Sequence, residues 1–250
     1  MRVKGGKLSI YCNCYASQEV RIFMTPAKLQ HDLMGIWKDI FDCRRCSLPE
    51  NYTPQFRPVG SRFYAGGVVF AQINPGHIGS LTQIEIEQRY KTQSSQQRAL
   101  HKQKVTSELI SLQNAYSKNP SSANWNQLNS AYNNAVCKVW GWPPGKYMNT
   151  IEKHGVKIKE VALINLAQCP VPKDKYKKQN FSNCWQLHTN RLLEALKPKL
   201  IVAQGKAALN FLQKQTLKST TILVEGVHHA SRQNNEIKNN IFHEVKTLVE

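Results

Sequence analysis

Residues 200–224 read LIVAQGKAALNFLQKQTLKSTTILV, and this stretch decides the fold class. Leu200 to Gln204 is an apolar run of strand length, Lys206 to Lys214 reads as a helix, and Thr220 to Val224 is a second β-branched run. Two short apolar strands joined by a helix form the repeating unit of a parallel sheet, because parallel strands need a crossover connection. Upstream the alternation continues, with Cys184 to Leu196 (CWQLHTNRLLEAL) as a helix and Lys159 to Leu166 (KEVALINL) as a strand. Gly67 to Ile73 is a further apolar run of buried-strand length. Pro26 to Phe41 sets Leu29, Leu33, Ile36, Trp37 and Ile40 on one helical face. The expectation is an α/β fold whose parallel sheet is covered on both faces, with its functional site at the carboxyl ends of the strands.

The 250 residues suit one domain. Within it, a polar region rich in Gln, Asn and Ser, about residues 81–134, reads as a helical insertion, having too few large apolar residues for a core of its own. Lys and Arg number 34 against 16 Asp and Glu, a formal charge of +18 that suits a polyanionic partner, nucleic acid first. No apolar run reaches membrane-spanning length and the N-terminus lacks a signal-peptide pattern, so we expect a cytoplasmic protein with no membrane partner.

In a reducing compartment the seven cysteines are thiols or metal ligands rather than a disulfide framework. Cys43-Arg44-Arg45-Cys46 supplies one C-x2-C pair, while Cys169 and Cys184 flank a loop and helix that could bring them together. Four thiolates hold an iron–sulfur cluster or a tetrahedral zinc ion, and the plainer alternative is buried free thiols. Cys12, Cys14 and Cys137 fall outside this pattern. Gly205-Lys206 follows a strand as the end of a P-loop would, but Ala207 stands where Ser or Thr should bind magnesium; a zinc deaminase lacks its H-x-E.

Three loops then meet at the carboxyl rim. After the first strand comes Gln72-Ile73-Asn74-Pro75-Gly76, where Asn74 can present an amide to a water, Pro75 fixes the backbone and Gly76 permits close approach of a ligand. Asn165 ends the next strand and can place both a donor and an acceptor against a base edge. His229 can donate to an oxygen that gains charge, with Arg232 beside it for phosphate contact.

In order and spacing these residues resemble the uracil-DNA glycosylase superfamily, and within it the family-4 type that carries an iron–sulfur cluster. Cys43 and Cys46 match its first C-x2-C. QINPG at 72–76 matches G-E-A/G-P-G, NLAQCPVP at 165–172 matches N-x-x-K-C-x-P-P, and Cys184 matches the fourth cysteine. PKLIVAQGKAA at 198–208 matches P-K-x-I-x-x-x-G-x-x-A, and His229-Ala230-Ser231 matches H-P-S. The resemblance covers about residues 36–80 and 155–235. It implies a three-layer α/β/α sandwich around a central four-stranded parallel sheet, in a monomer that binds DNA. It further implies a structural 4Fe-4S cluster, in preference to zinc, on Cys43, Cys46, Cys169 and Cys184.

The resemblance also implies a monofunctional glycosylase that flips a base out of DNA and hydrolyses its glycosidic bond. Asn74 and His229 would be catalytic, Gln72, Ile73, Gly76 and Asn165 would contact the base, and Pro75, His228, Ser231 and Arg232 would contact DNA. Ile73-Asn74-Pro75-Gly76 is closer to the G-I-N-P-G of the mismatch glycosylases than to family 4, and Ala230 replaces a proline. The family-4 segment that carries the uracil-stacking Phe is absent, and Gly76 stands where the best-known uracil enzymes have a Tyr that excludes C5 substituents. These departures point to a bulky 5-modified cytosine, such as the glucosylated hydroxymethylcytosine of phage DNA, and to antiviral defence. Uracil excision in base-excision repair is the alternative substrate reading; a non-catalytic DNA-binding module of the same fold is the alternative class.

Overall fold

A computed structural model of the chain describes residues 27–46, 48, 53–73, 81–139, 152, 156–170, 178–226, 243–244 and 247–248. Four five-residue strands, β1 (Val68–Gln72), β2 (Val161–Asn165), β3 (Leu200–Gln204) and β4 (Ile222–Gly226), form one sheet in the order β2-β1-β3-β4, with every pairing parallel. The helices are α1 (Ala27–Asp42), α2 (Gln83–Arg89), α3 (Gln93–Lys118), α4 (Ser122–Lys138), α5 (Lys178–Cys184), α6 (Asn190–Leu196) and α7 (Lys206–Leu212). A π-helical turn, Trp185–Thr189, joins α5 directly to α6. Among the described residues no helix is long and apolar enough to cross a membrane.

β1, β2 and β3 are buried at all five positions, which is why their sequences read as unbroken apolar runs. Alternate residues feed two cores. Val69, Ala71, Ala162, Ile164, Ile201 and Ala203 pack on one face with residues of α1, α3, α4, α6 and α7. Val68, Phe70, Val161, Leu163, Leu200, Val202 and Val224 pack on the other with Val136, Val156 and Leu248. The arrangement is α/β, and both faces being covered makes it compatible with a three-layer sandwich.

Three of the boundaries that differ from the sequence expectation have a visible cause. β2 starts at Val161 because Glu160 N–H bonds Lys157 O at 2.9 Å and closes a 3₁₀ turn over Ile158–Glu160. β4 lies two residues later than Thr220–Val224, since Glu225 and Gly226 pair with Ala203 and Gln204 on an exposed edge where polarity hides a strand. The helix around Cys184 begins earlier, at Lys178, in a polar stretch with no apolar period.

Two polar helices of the insertion, α3 and α4, join the main core, while α2 packs with the start of α3 in a small cluster of Leu81, Ile86 and Ala99. Trp37 and Phe41 of α1, Phe56, Tyr116 of α3, and Trp125 and Tyr132 of α4 form one aromatic group. The Phe56 ring lies 4.8 Å from Trp37, 5.3 Å from Trp125 and 5.2 Å from Tyr132. Burial raises the Tyr116 phenol to about 12, and its hydroxyl donates to Met34 O at 2.8 Å.

Residues 54–60 run antiparallel beside β2. Gln55 N–H bonds Gln168 O (2.9 Å), Leu163 N–H bonds Pro58 O (3.1 Å), Gly60 N–H bonds Val161 O (2.8 Å), and Val59 bridges Ala162. The outer side of this segment is held by amide side chains. Asn129 accepts from Val59 N–H at 3.0 Å and donates to Val59 O at 2.9 Å, so one carboxamide does the work of a neighbouring strand. Gln113 accepts from Phe56 N–H at 2.8 Å, donates to Pro54 O at 2.9 Å, and accepts from the Tyr132 hydroxyl. The Asn and Gln content of the insertion thus satisfies backbone groups that would otherwise be buried without partners.

Buried Gln113 tests this account. Gln113→Ala strands Phe56 N–H and Pro54 C=O, and we expect a loss of about 2–4 kcal/mol in urea unfolding. Gln127→Ala, at an exposed position of α4, should stay within about 0.5 kcal/mol of the parent. Equal effects would show that the amide grip contributes nothing.

Candidate functional site

In the order β2-β1-β3-β4 the chain leaves β1 for one side of the sheet and later fills the other side, so the topology reverses between β1 and β3. The crevice outside the carboxyl ends at such a point is where open parallel sheets bind ligands. Here β1, β2 and β3 each end in a carboxamide: Gln72, Asn165 and Gln204. Gln72 pairs in register with Asn165, and Gln204 with Gly226. The two-residue period places all three on the face of Phe70, Leu163 and Val202. All three are buried, whereas a plain core would continue with apolar residues.

β3 ends in Gly205, whose φ of 97° belongs to a region open to glycine. That conformation lets its N–H bond Gly226 O at 2.8 Å and tie the ends of β3 and β4 together. Gly226 is fixed by crowding, since a Cβ there would lie 2.5 Å from Val202 Cγ1.

Asn165 has no solvent exposure and is held from several directions. Arg57, on the segment beside β2, donates from Nε to Asn165 Oδ1 at 3.2 Å. Gln168 Nε2 donates to Asn165 O at 2.8 Å. The Thr189 hydroxyl reaches Leu166 O at 3.1 Å and Asn165 O at 3.4 Å, and Gln168 Nε2 lies 3.3 Å from it. Thr189 closes the π-helical turn; a wider turn carries an extra residue and redirects the side chains that follow, here into the end of β2. The loop continues with Leu166 N–H to Gln72 O at 2.7 Å and Ala167 N–H to Ile73 O at 3.0 Å. Ile73 packs partly against the first core.

Some of the unmet hydrogen-bonding capacity lies at this rim, and both ring nitrogens of His188, on the π-helical turn, are also buried with no partner among the described residues. Among the described residues, the Asn165 Nδ2 and Gln55 Nε2 donors and the Gln168 Oε1 acceptor are buried with no partner. Each such group costs about 1–3 kcal/mol unless an ordered water or a ligand supplies the missing bond.

The four expected ligand cysteines are brought to one region. Burial raises the Cys169 thiol strongly, and negative charge on Cys184, Cys46 and Cys43 would raise it further, so all four lie within electrostatic reach. Burial likewise lifts Cys184 to about 11, against a backbone hydrogen bond from Gln168 that lowers it; charge on Cys46 and Cys43 adds to the rise. Asn183 Nδ2 lies 3.7 Å from Cys46 Sγ. Cys43 directly follows α1, where Arg44 Nη1 donates to Phe41 O and Cys43 O, both at 2.9 Å. Among the described residues no three His, Cys, Asp or Glu side chains form a group placed to hold a metal ion. The chemistry of the four thiols fits a soft cation all the same. Buried thiols that oppose one another's ionisation need a positive charge to become thiolates, and a bound metal supplies it. Cys137 sits apart, against the second core.

Gln72, Ile73 and Asn165 are therefore gathered at the carboxyl end of the sheet, and Cys43, Cys46, Cys169 and Cys184 near one another. Asn74, Pro75, Gly76, His228, His229, Ser231, Arg232, Cys12 and Cys14 lie outside the described residues. Sequence reasoning missed Arg57, Gln168, Thr189 and Gln204. For Arg57 a signal existed, an arginine between Phe56 and Pro58-Val59 in PQFRPVG, where a solvated charge is out of place. The chain matches no known protein-family model, and no curated protein matches it.

The thiol environment yields a direct check. With metal stripped by chelator, Cys169 and Cys184 remain protonated near neutral pH, because their pKa values lie above the ordinary thiol value. Iodoacetamide at pH 8, followed by peptide mass mapping, should label both at least about tenfold more slowly than free cysteine. Labelling as fast as free cysteine would contradict the burial.

Proposed function

We propose that the chain is a monofunctional DNA glycosylase of the uracil-DNA glycosylase type, built on a three-layer α/β/α sandwich, that releases a pyrimidine flipped out of DNA. The observation that carries this reading is Asn165, a fully buried carboxamide braced at the carboxyl rim with its Nδ2 donor unmet. A flipped base, with donors and acceptors along its edge, is the kind of ligand that fills such a deficit. The formal charge of +18 supports a polyanionic partner and implies salt-sensitive binding.

In the proposed reaction a water oxygen bonds to the anomeric carbon as the C1′–N1 bond breaks, and the bonding pair leaves with the base. A water proton then neutralises the base. Asn74 orients the water and His229 donates to the base oxygen that gains charge. An amide is no general base, so the rate rests on positioning and on stabilising the leaving group. Asn165 contributes by bonding the base edge more strongly as its charge grows. Cys43, Cys46, Cys169 and Cys184 would hold a 4Fe-4S cluster. Such a group, when bound, supplies a cross-link rather than a reaction step. Cys169 lies four residues beyond Asn165, so one of the four cysteines and the base-reading loop are one piece of chain.

Purified protein on duplexes carrying uracil, cytosine, hydroxymethylcytosine or glucosylated hydroxymethylcytosine should leave abasic sites at one of these bases. Asn165→Ala should lower single-turnover release by about 10²–10³, the usual loss for one preorganised donor, while Asn74→Ala or His229→Ala retaining full release would sink the assignment. Iron analysis and a visible absorption shoulder, both lost in Cys43→Ser, check the cluster separately; zinc in the same stoichiometry would replace it.

A further inference from the structure

Arg57 stands outside every motif, yet among the described residues it makes the one hydrogen bond to the Asn165 side chain. The residue is buried, at 6 % exposure, on the extended segment that Gln113 and Asn129 clamp against β2. Its position is therefore set from both sides, by backbone pairing to β2 and by the amide grip of the insertion. A guanidinium can only donate, so the carboxamide must turn its oxygen toward Arg57. The NH₂ group is thereby directed away from Arg57, and it is this nitrogen that is buried without a partner.

Resting on the glycosylase reading, we propose that Arg57 is a positioning residue of the base-reading site, which locks the Asn165 carboxamide with its NH₂ toward the ligand and strengthens that group as a donor. Two physical effects combine. A hydrogen bond from a cation to Oδ1 pulls electron density from the amide nitrogen, so Nδ2–H becomes a better donor. Locking the orientation also removes the reorganisation that a freely flipping amide would undergo as charge builds on the departing base. The site so arranged favours a base with an acceptor at that point of its edge, such as a 4-oxo group, over one with a 4-amino group, and so favours uracil over the 5-modified cytosine expected from the motif departures.

The test uses the full chain and two separate readouts. Binding is measured by fluorescence anisotropy with Asn74→Ala protein on matched DNAs carrying uracil or cytosine at one position. We expect a preference for the 4-oxo base that falls by about tenfold on adding Arg57→Met, the loss of one charge-assisted hydrogen bond, with the salt dependence of binding unchanged. Arg57→Lys, which keeps a charged donor, should restore part of it. Release is measured with wild-type Asn74, comparing uracil with 5-fluorouracil, a better leaving group. Arg57→Met should slow release of uracil more than release of 5-fluorouracil, since a better leaving group needs less stabilisation.

An unchanged base preference in Arg57→Met overturns the proposal, as does a uniform loss on both DNAs that tracks a lowered melting temperature. A protein that does not distinguish the two bases at all overturns it as well. If the parent protein distinguishes the bases through Arg57 but releases none, the positioning role stands and the glycosylase reading fails.

Discussion

Side-chain carboxamides holding the backbone of residues 54–59 are the constraint on which the rest of the molecule depends. This segment has β2 on one side and, among the described residues, no strand on the other, and Asn129 and Gln113 supply there the bonds a strand would have given. With its backbone fixed, its side chains go to separate tasks. Phe56 enters the aromatic core between α1 and α4, Arg57 reaches Asn165, and Gln55 meets the loop after β2 through its N–H. The same covering leaves β2 no open edge for pairing with another chain.

The rim of the sheet shows how a folding constraint becomes a chemical one. Parallel register aligns the last residues of β1 and β2, so a carboxamide at the end of each becomes a pair on one face. Asn165 is then immobilised through its own oxygen, through its carbonyl and through the bonds of the following loop, at some cost in unmet polar groups. Thr189 reaches this loop because a π-helical turn interrupts the helix that begins before Cys184. The turn directly follows Cys184, so one continuous helical stretch carries both Cys184 and Thr189. Helix α1 supplies the other cysteines from its carboxyl end, and its apolar face of Leu33, Trp37 and Ile40 is fully in the core.

The elements that bury one uniform face were legible in the sequence. The α1 stripe and the apolar runs of β1, β2 and β3 announce themselves because burial there is continuous, and Asn165 could be singled out as the polar end of such a run. β4 was displaced in the expectation because an edge strand tolerates Glu225. The segment 54–60 was opaque for a different reason. Its Pro-rich stretch has no alternation, since its pairing is antiparallel on one side and made by side chains on the other. The Gln and Asn residues of the insertion read as a solvated surface, whereas Gln113 is 3 % exposed and bonded to backbone. Composition reports polarity and cannot tell an amide facing water from one replacing a strand. The role of Arg57 was hidden likewise, because its partner is remote in the chain.

That remoteness bears on how the protein folds. The bonds from Gln113 to Phe56, from Asn129 to Val59 and from Arg57 to Asn165 close loops of 57, 70 and 108 residues. Each closure must be reached by diffusion before it returns any stabilisation, so a topology of this kind has high contact order and is expected to form slowly. During synthesis, the Arg57–Asn165 bond cannot form until β2 has emerged. Until then the first half of the chain lacks these closing contacts, which makes it the stage most exposed to capture by chaperones.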